Sequence, residues 1–152
     1  MVTFKANPHE VYEALMDSKK HSAFTGSEAR ISRKVGGKFI AYDGSLEGTN
    51  LELVPDKKIV QSWRGSDWPE GHYSKAVFSL KEIDGGTRLT FTQTGVPADL
   101  YEDYRQGWHD YYWKPMKALL VRFLTAHSIV MSLGWCWRRK RPIASAEERT
   151  AL

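Results

Sequence analysis

Residues 90–120, TFTQTGVPADLYEDYRQGWHDYYWKPMKALL, decide the fold. Thr90 to Thr94 is a β-branched and aromatic run that reads as a strand, and Gly95, Val96 and Pro97 stop it. Asp99 then opens a helix on which Leu100, Tyr104, Trp108, Tyr111 or Tyr112, Met116, Leu119 and Phe123 recur at steps of three and four, a stripe that a sheet has to cover. Pro115 stands inside that helix, removes one backbone hydrogen bond and predicts a kink. A helix rising about 1.5 Å per residue across a domain of radius about 14 Å runs out of sheet after about 25 residues, so its end is expected near Leu124.

Upstream, Ala29 to Thr94 is punctuated by turn signals: Val35-Gly36-Gly37-Lys38, Asp43-Gly44, Pro55-Asp56-Lys57 and Asp84-Gly85-Gly86. Between them Leu51 and Leu53, then Ile59, Gln61 and Trp63, then Ala76, Phe78 and Leu80, then Leu89 and Phe91 alternate with polar neighbours. Short turns force neighbouring strands to be antiparallel, so an antiparallel meander of about five or six strands is expected. At the N-terminus Val2 to Phe4 reads as a short strand. Asn7-Pro8-His9-Glu10 reads as a capped helix start, with the asparagine on the free amides and the proline in the first turn. A second short helix is expected over Asp17 to Phe24, ended by Thr25-Gly26.

The net charge of +4 suggests nucleic acid only until it is divided along the chain. Residues 1–121 hold 16 Lys or Arg against 16 Asp or Glu, whereas residues 122–152 hold 6 against 2. A neutral body without a basic stripe argues against DNA or RNA binding by the domain. The single cysteine, Cys136, excludes an internal disulfide framework and points to a reducing compartment. Met1 to Lys5 is too brief for a signal peptide, so cytoplasm is the expected location.

The segments FKANPHEVYEALMDSKKHSAFTG, ISRKVGGKFIAYDGSLEGTNLELVPDKKIVQSWRGSDWPEGHYSK, GTRLTFTQTGVP and GWHDYYWKPMK closely resemble the family of activators of heat-shock-protein-90 ATPase, from about Val2 to Leu120. The resemblance implies an α+β helix-grip fold of the START and pollen-allergen type: a curved antiparallel sheet of about six strands, two short helices and a long C-terminal helix across the sheet. It also implies a hydrophobic pocket between sheet and helix, and contact with a chaperone of the Hsp90 class as an alternative role. Residues 1–124 form the expected domain and residues 125–152 an atypical basic tail.

For the pocket, the candidate walls are Phe24, Phe39, Trp63, Phe78, Trp108, Tyr112 and Met116, and the candidate orienting amides are Gln61 and Gln93, with Arg64 and His109 as further polar groups. Each ring has the plainer reading of core filling, and each amide that of facing solvent. The loop from Ser66 to Tyr73 offers Trp68, His72 and Tyr73 as lid or partner contacts; Trp68-Pro69 packing the hairpin end is the plainer alternative.

Catalytic and metal signatures are weak. No two of His9, His21, His72, His109 and His127 have helical zinc-ligand spacing, and HExxH, GxSxG and phosphate-loop motifs are missing. Asp67 with His72, or His109 with a pocket tyrosine, remain as conceivable acid–base pairs on a bound ligand. The expectation is a non-enzymatic domain without cofactor or metal that binds a hydrophobic or amphipathic small molecule.

In the tail, the fifteen residues from Phe123 to Trp137 fall short of the ~20 apolar residues needed to span a bilayer. Three readings stand: packing on the domain or a second copy, resting of Trp135-Cys136-Trp137 with Arg138-Arg139-Lys140-Arg141 on an anionic membrane surface, or no selected role.

Overall fold

Asn7 starts the first helix as its chemistry requires. Its side-chain oxygen accepts from the Glu10 N–H at 2.9 Å, Pro8 takes the first turn, and α1 runs Pro8–Met16. Asp17 caps α2, Ser18–Thr25, by accepting from the Lys20 N–H at 3.0 Å, and Gly26 closes it at φ 72°, a left-handed conformation that suits glycine. The structure, a computed structural model, describes residues 1–121.

The strands are β1 Val2–Phe4, β2 Arg30–Ile31, β3 Lys38–Ala41, β4 Leu46–Val54, β5 Lys58–Gly65, β6 Ser74–Ile83 and β7 Gly86–Thr94. They form one sheet in the order β1-β7-β6-β5-β4-β3-β2, antiparallel throughout. Seven strands replace the expected six or so because β2, only two residues long, pairs with β3 through Arg30 and Ile31. The fold is the α+β helix-grip arrangement.

Two details depart from the sequence pattern. The pairing of β4 with β5 shifts between Asn50 and Glu52, and this irregularity breaks the alternation: Leu51 is 49% exposed while Asn50 is wholly buried. The long helix begins later than Asp99. A 3-10 turn covers Ala98–Leu100, α3 runs Tyr101–Trp108, a π-helical turn spans His109–Trp113, and helical backbone continues over residues 114–121. The π turn ends at Trp113, two residues before Pro115. Widening the helix there absorbs the proline's missing N–H and also turns the next side chains, so that Tyr112 and Trp113 are both buried although adjacent.

One compact unit spans Met1–Leu120, and its core gathers the stripe of this helix with α1, α2 and the inner sheet face. Phe4, Val11, Met16, Ile59, Leu89 and Met116 are its best-shielded apolar side chains. The expected helix end near Leu124 and the basic tail lie outside the described residues. No helix among the described residues is long and apolar enough to cross a membrane.

Candidate functional site

Trp108 is the hub where helix meets sheet. Its ring centroid lies 5.2 Å from Trp63 on β5, 5.8 Å from Phe78 on β6, 4.3 Å from Phe91 on β7, and 4.4 Å and 5.3 Å from Tyr112 and Trp113 on its own helix. The strands supply these rings because residues two apart share a face, and the π turn supplies Tyr112 and Trp113 together. Phe24 reaches Tyr112 from α2 at 5.7 Å. Phe39 lies beneath β4 at Gly48, where an added Cβ would stand 2.7 Å from its ring. Phe24, Phe39, Trp63, Phe78, Trp108, Tyr112 and Met116 are all buried members of one core cluster.

The two candidate amides are committed to the protein. Gln61 donates to Asn50 Oδ1 at 3.0 Å, and Asn50 in turn donates to the carbonyls of Ser32 and Lys34. Gln93 accepts from the Trp108 indole N–H at 2.8 Å and donates to Ser74 Oγ at 2.9 Å, while Ser74 donates to the Trp63 carbonyl. These bonds satisfy buried polar groups and lock the hub rotamer.

Space remains beside the helix. A groove of about 380 Å³ is lined by Tyr42, Ser45, Leu46, Trp63, Asp67, Asp103, Tyr104, Gly107, Trp108, Tyr111 and Tyr112. A second, of about 230 Å³, has Phe91, Gln93, Arg105, His109 and Trp113 in its wall and shares Tyr104 and Trp108 with the first. Sequence reading missed Tyr42 and Tyr104 as wall residues. Tyr104 was visible as a stripe residue, but Tyr42 acts through an unusual φ of 50° that no local pattern announces.

The phenols of Tyr42, Tyr104 and Tyr112 in the larger groove are held neutral. Burial, followed by the neighbouring Tyr111, pushes the Tyr42 phenol up to about 12. Burial and then the Asp67 carboxylate, which accepts from the Tyr104 hydroxyl, push Tyr104 up to about 12. Burial raises Tyr112 as well. His21, which sequence reading passed over, is buried beneath these rings: its Nδ1 lies 3.3 Å from the Leu15 carbonyl and its Nε2 3.2 Å from the Tyr112 hydroxyl. A carbonyl only accepts, so Nδ1 carries the proton and the Tyr112 hydroxyl donates to Nε2. Burial lowers the His21 pKa to about 4, outweighing the Leu15 hydrogen bond.

Asp67 and His72, raised by the sequence as an acid–base pair, are each bonded elsewhere. Asp67 is engaged by Tyr104, and the His72 ring nitrogen donates to the Gly95 carbonyl at 2.7 Å. His109 lines the smaller groove together with Tyr101 and Tyr104, and no hydrogen bond joins it to either phenol among the described residues. Of the loop residues, Trp68 is buried, only 4% exposed, with its ring 5.7 Å from Trp63 and 5.2 Å from Tyr104. It packs the hairpin end rather than standing out as an anchor. Tyr73 is exposed, bonded to Glu47 at 3.1 Å, with the Arg64 guanidinium over its ring.

The model of the family described as Activator of Hsp90 ATPase homolog 1-like protein matches residues 5–121. The chain belongs to this family. Among Hsp90 ATPase activator relatives, the human "Activator of 90 kDa heat shock protein ATPase homolog 1" is 37% identical over 115 residues, 76% of this chain and 34% of that protein. The Dictyostelium discoideum "Activator of 90 kDa heat shock protein ATPase homolog" is 36% identical over 107 residues, 69% of this chain and 28% of that protein. The chain thus spans about a third of the length of the curated relatives it matches. A crystal structure of an HSP90 activator from Plasmodium falciparum superposes with a TM-score of 0.74 at 27% identity, covering 78% of this chain and 91% of that one.

Proposed function

We propose that this domain is a co-chaperone-type module that contacts an Hsp90-class chaperone and stimulates its ATPase. The observation that carries the reading is the commitment of the interior: Phe24, Phe39, Phe78 and Met116 are core, and Gln61 and Gln93 spend their amides on the protein. What the domain offers is its surface, and the named activity of relatives that match across this same unit supplies the kind of partner. Tyr73, with Glu47 and Arg64, is the contact candidate on the loop side. Val35 and Leu51 form another, since the backbone of Gly36 donates to the Asn50 carbonyl and draws these two exposed side chains to one end of the sheet.

The test is the ATPase rate of an Hsp90-class chaperone with and without the protein. Stimulation that falls on Tyr73→Ala or Leu51→Ser, with folding unchanged, supports the proposal; no stimulation and no complex formation overturn it.

A second reading, binding of a hydrophobic or amphipathic small molecule, is favoured by the groove of about 380 Å³, which is large enough for a small ligand. That site would lie beside the helix, with Trp63, Trp108 and Tyr112 as its floor, while Phe24, Phe39, Phe78 and Met116 stay in the core behind it. Residues 125–152 as a separate basic tail remain part of the proposal.

A further inference from the structure

We infer that the larger groove is built for an organic cation, an alkylammonium group carried on an apolar chain. The inference rests on the small-molecule reading above and gives it a chemical class. Tyr42, Trp63, Tyr104, Trp108, Tyr111 and Tyr112 present aromatic rings to the groove. Aromatic faces carry negative charge density and attract cations, most effectively where water is thinned by neighbouring apolar surface.

The charged groups of the wall have one sign. Asp67 and Asp103 line the groove, and no lysine, arginine or histidine does so among the described residues. Tyr104 donates to Asp67 Oδ1, which fixes that carboxylate at the rim without cancelling its charge. Arg64, close enough to act on the Tyr104 hydroxyl, is tied elsewhere: it bonds to Glu47 at 3.3 Å and to the Trp68 carbonyl at 2.9 Å. The phenols of Tyr42 and Tyr104 stay neutral at physiological pH and so add no charge of their own. An anion would meet two carboxylates with nothing to pair it. An uncharged chain would fill the apolar floor but shed water from those carboxylates without compensation.

The opposite side of α3 is a built-in control. The smaller groove shares Tyr104 and Trp108 but carries Arg105, paired with Glu102 at 3.1 Å, and His109 in place of the two aspartates. The shared Tyr104 and Trp108 therefore meet two carboxylates on one side and none on the other, and Trp63 belongs only to the acidic one.

The experiment titrates the full chain with hexyltrimethylammonium, hexanol and hexyl sulfate, reading the indole N–H signals of Trp63 and Trp108. The cation is expected to shift Trp63 and to bind about tenfold more tightly than hexanol, with hexyl sulfate weakest. Asp67→Asn/Asp103→Asn is expected to bring the cation down to the affinity of hexanol and to leave hexanol unchanged; the amide spectrum of the exposed Asp103→Asn single variant checks that folding is retained. Equal binding of cation and hexanol by the unsubstituted protein overturns the cation assignment and leaves the small-molecule groove standing. No Trp63 shift with any of the three overturns both. If none binds while the double variant loses chaperone stimulation, the carboxylates serve a protein partner and the small-molecule assignment fails.

Discussion

The hydroxyl of Tyr42 donates to the backbone carbonyl of Tyr111, whose ordinary α-helical donor would be the N–H that Pro115 lacks. Tyr42 reaches it from a turn in which both it and Asp43 take positive φ, 50° and 57°. Such non-glycine conformations each cost on the order of 1 kcal/mol or more, and they persist where surrounding contacts hold them. Three irregularities, a strained turn, a π turn and an intrahelical proline, thus meet at one hydrogen bond.

Tyr42→Phe removes the donor and is expected to lower unfolding free energy by about 1 kcal/mol, measured by urea titration. In a Pro115→Ala background residue 115 regains an N–H, so the cost of Tyr42→Phe shrinks. A cycle showing no coupling between the two sites refutes the compensation.

His21 makes stability fall with acid. Its folded pKa, lowered to about 4, lies below the ordinary 6.5 of the unfolded chain. Above 6.5 both states are neutral and the folded state keeps its full advantage; between 6.5 and 4 only the unfolded state takes up the proton. The loss approaches about 3 kcal/mol by pH 4. Unfolding free energy against pH, compared with His21→Gln, isolates this slope from that of the carboxylates.

Gly65 leaves room for the Tyr104 hydroxyl. An added Cβ would stand 1.9 Å from that oxygen and 2.9 Å from Asp67 Oδ1. Gly65→Ala is expected to cost about 1–3 kcal/mol through overpacking, and Gly65→Ala/Tyr104→Phe to recover part of it, because the clashing atom is then gone. Thermal denaturation of the three variants decides the point.

Trp68 and Tyr73, five residues apart, should respond oppositely. Truncating buried Trp68 to alanine is expected to cost about 3–5 kcal/mol. Tyr73→Ala, at an exposed site, is expected to change stability by under about 1 kcal/mol while reducing chaperone stimulation. Loss of stimulation by Trp68→Ala alone, with the fold intact, would move the contact to Trp68.

The fold was legible where local chemistry decides it. The Asn7-Pro8 start, the Asp56 and Gly85 turns at φ 62° and 78°, and the stripe through Trp108 and Met116 each work within a few residues. The misses arose where a local rule is broken by a partner distant in sequence. Leu51 faces outward because the strand slips at Asn50, whose amide is held by Ser32, Lys34 and Gln61. Trp113 is buried because the helix widens ahead of Pro115, and β2 is too short to show any period. The candidate rings were chosen for being apolar and inward-facing, a criterion that core and pocket satisfy equally. What separates them is which rings border empty space, and that depends on the packing of all their neighbours.

Tyr104 and Trp108 form a party wall between the grooves. A guest on the acidic side that turns Trp108 must also disturb its hydrogen bond to Gln93, which lines the basic side. Were both chambers to take a ligand, thermodynamic reciprocity would require any influence of one on the other to run equally in both directions. A single indole thus ties the two walls together, so that turning it on one side breaks a hydrogen bond on the other.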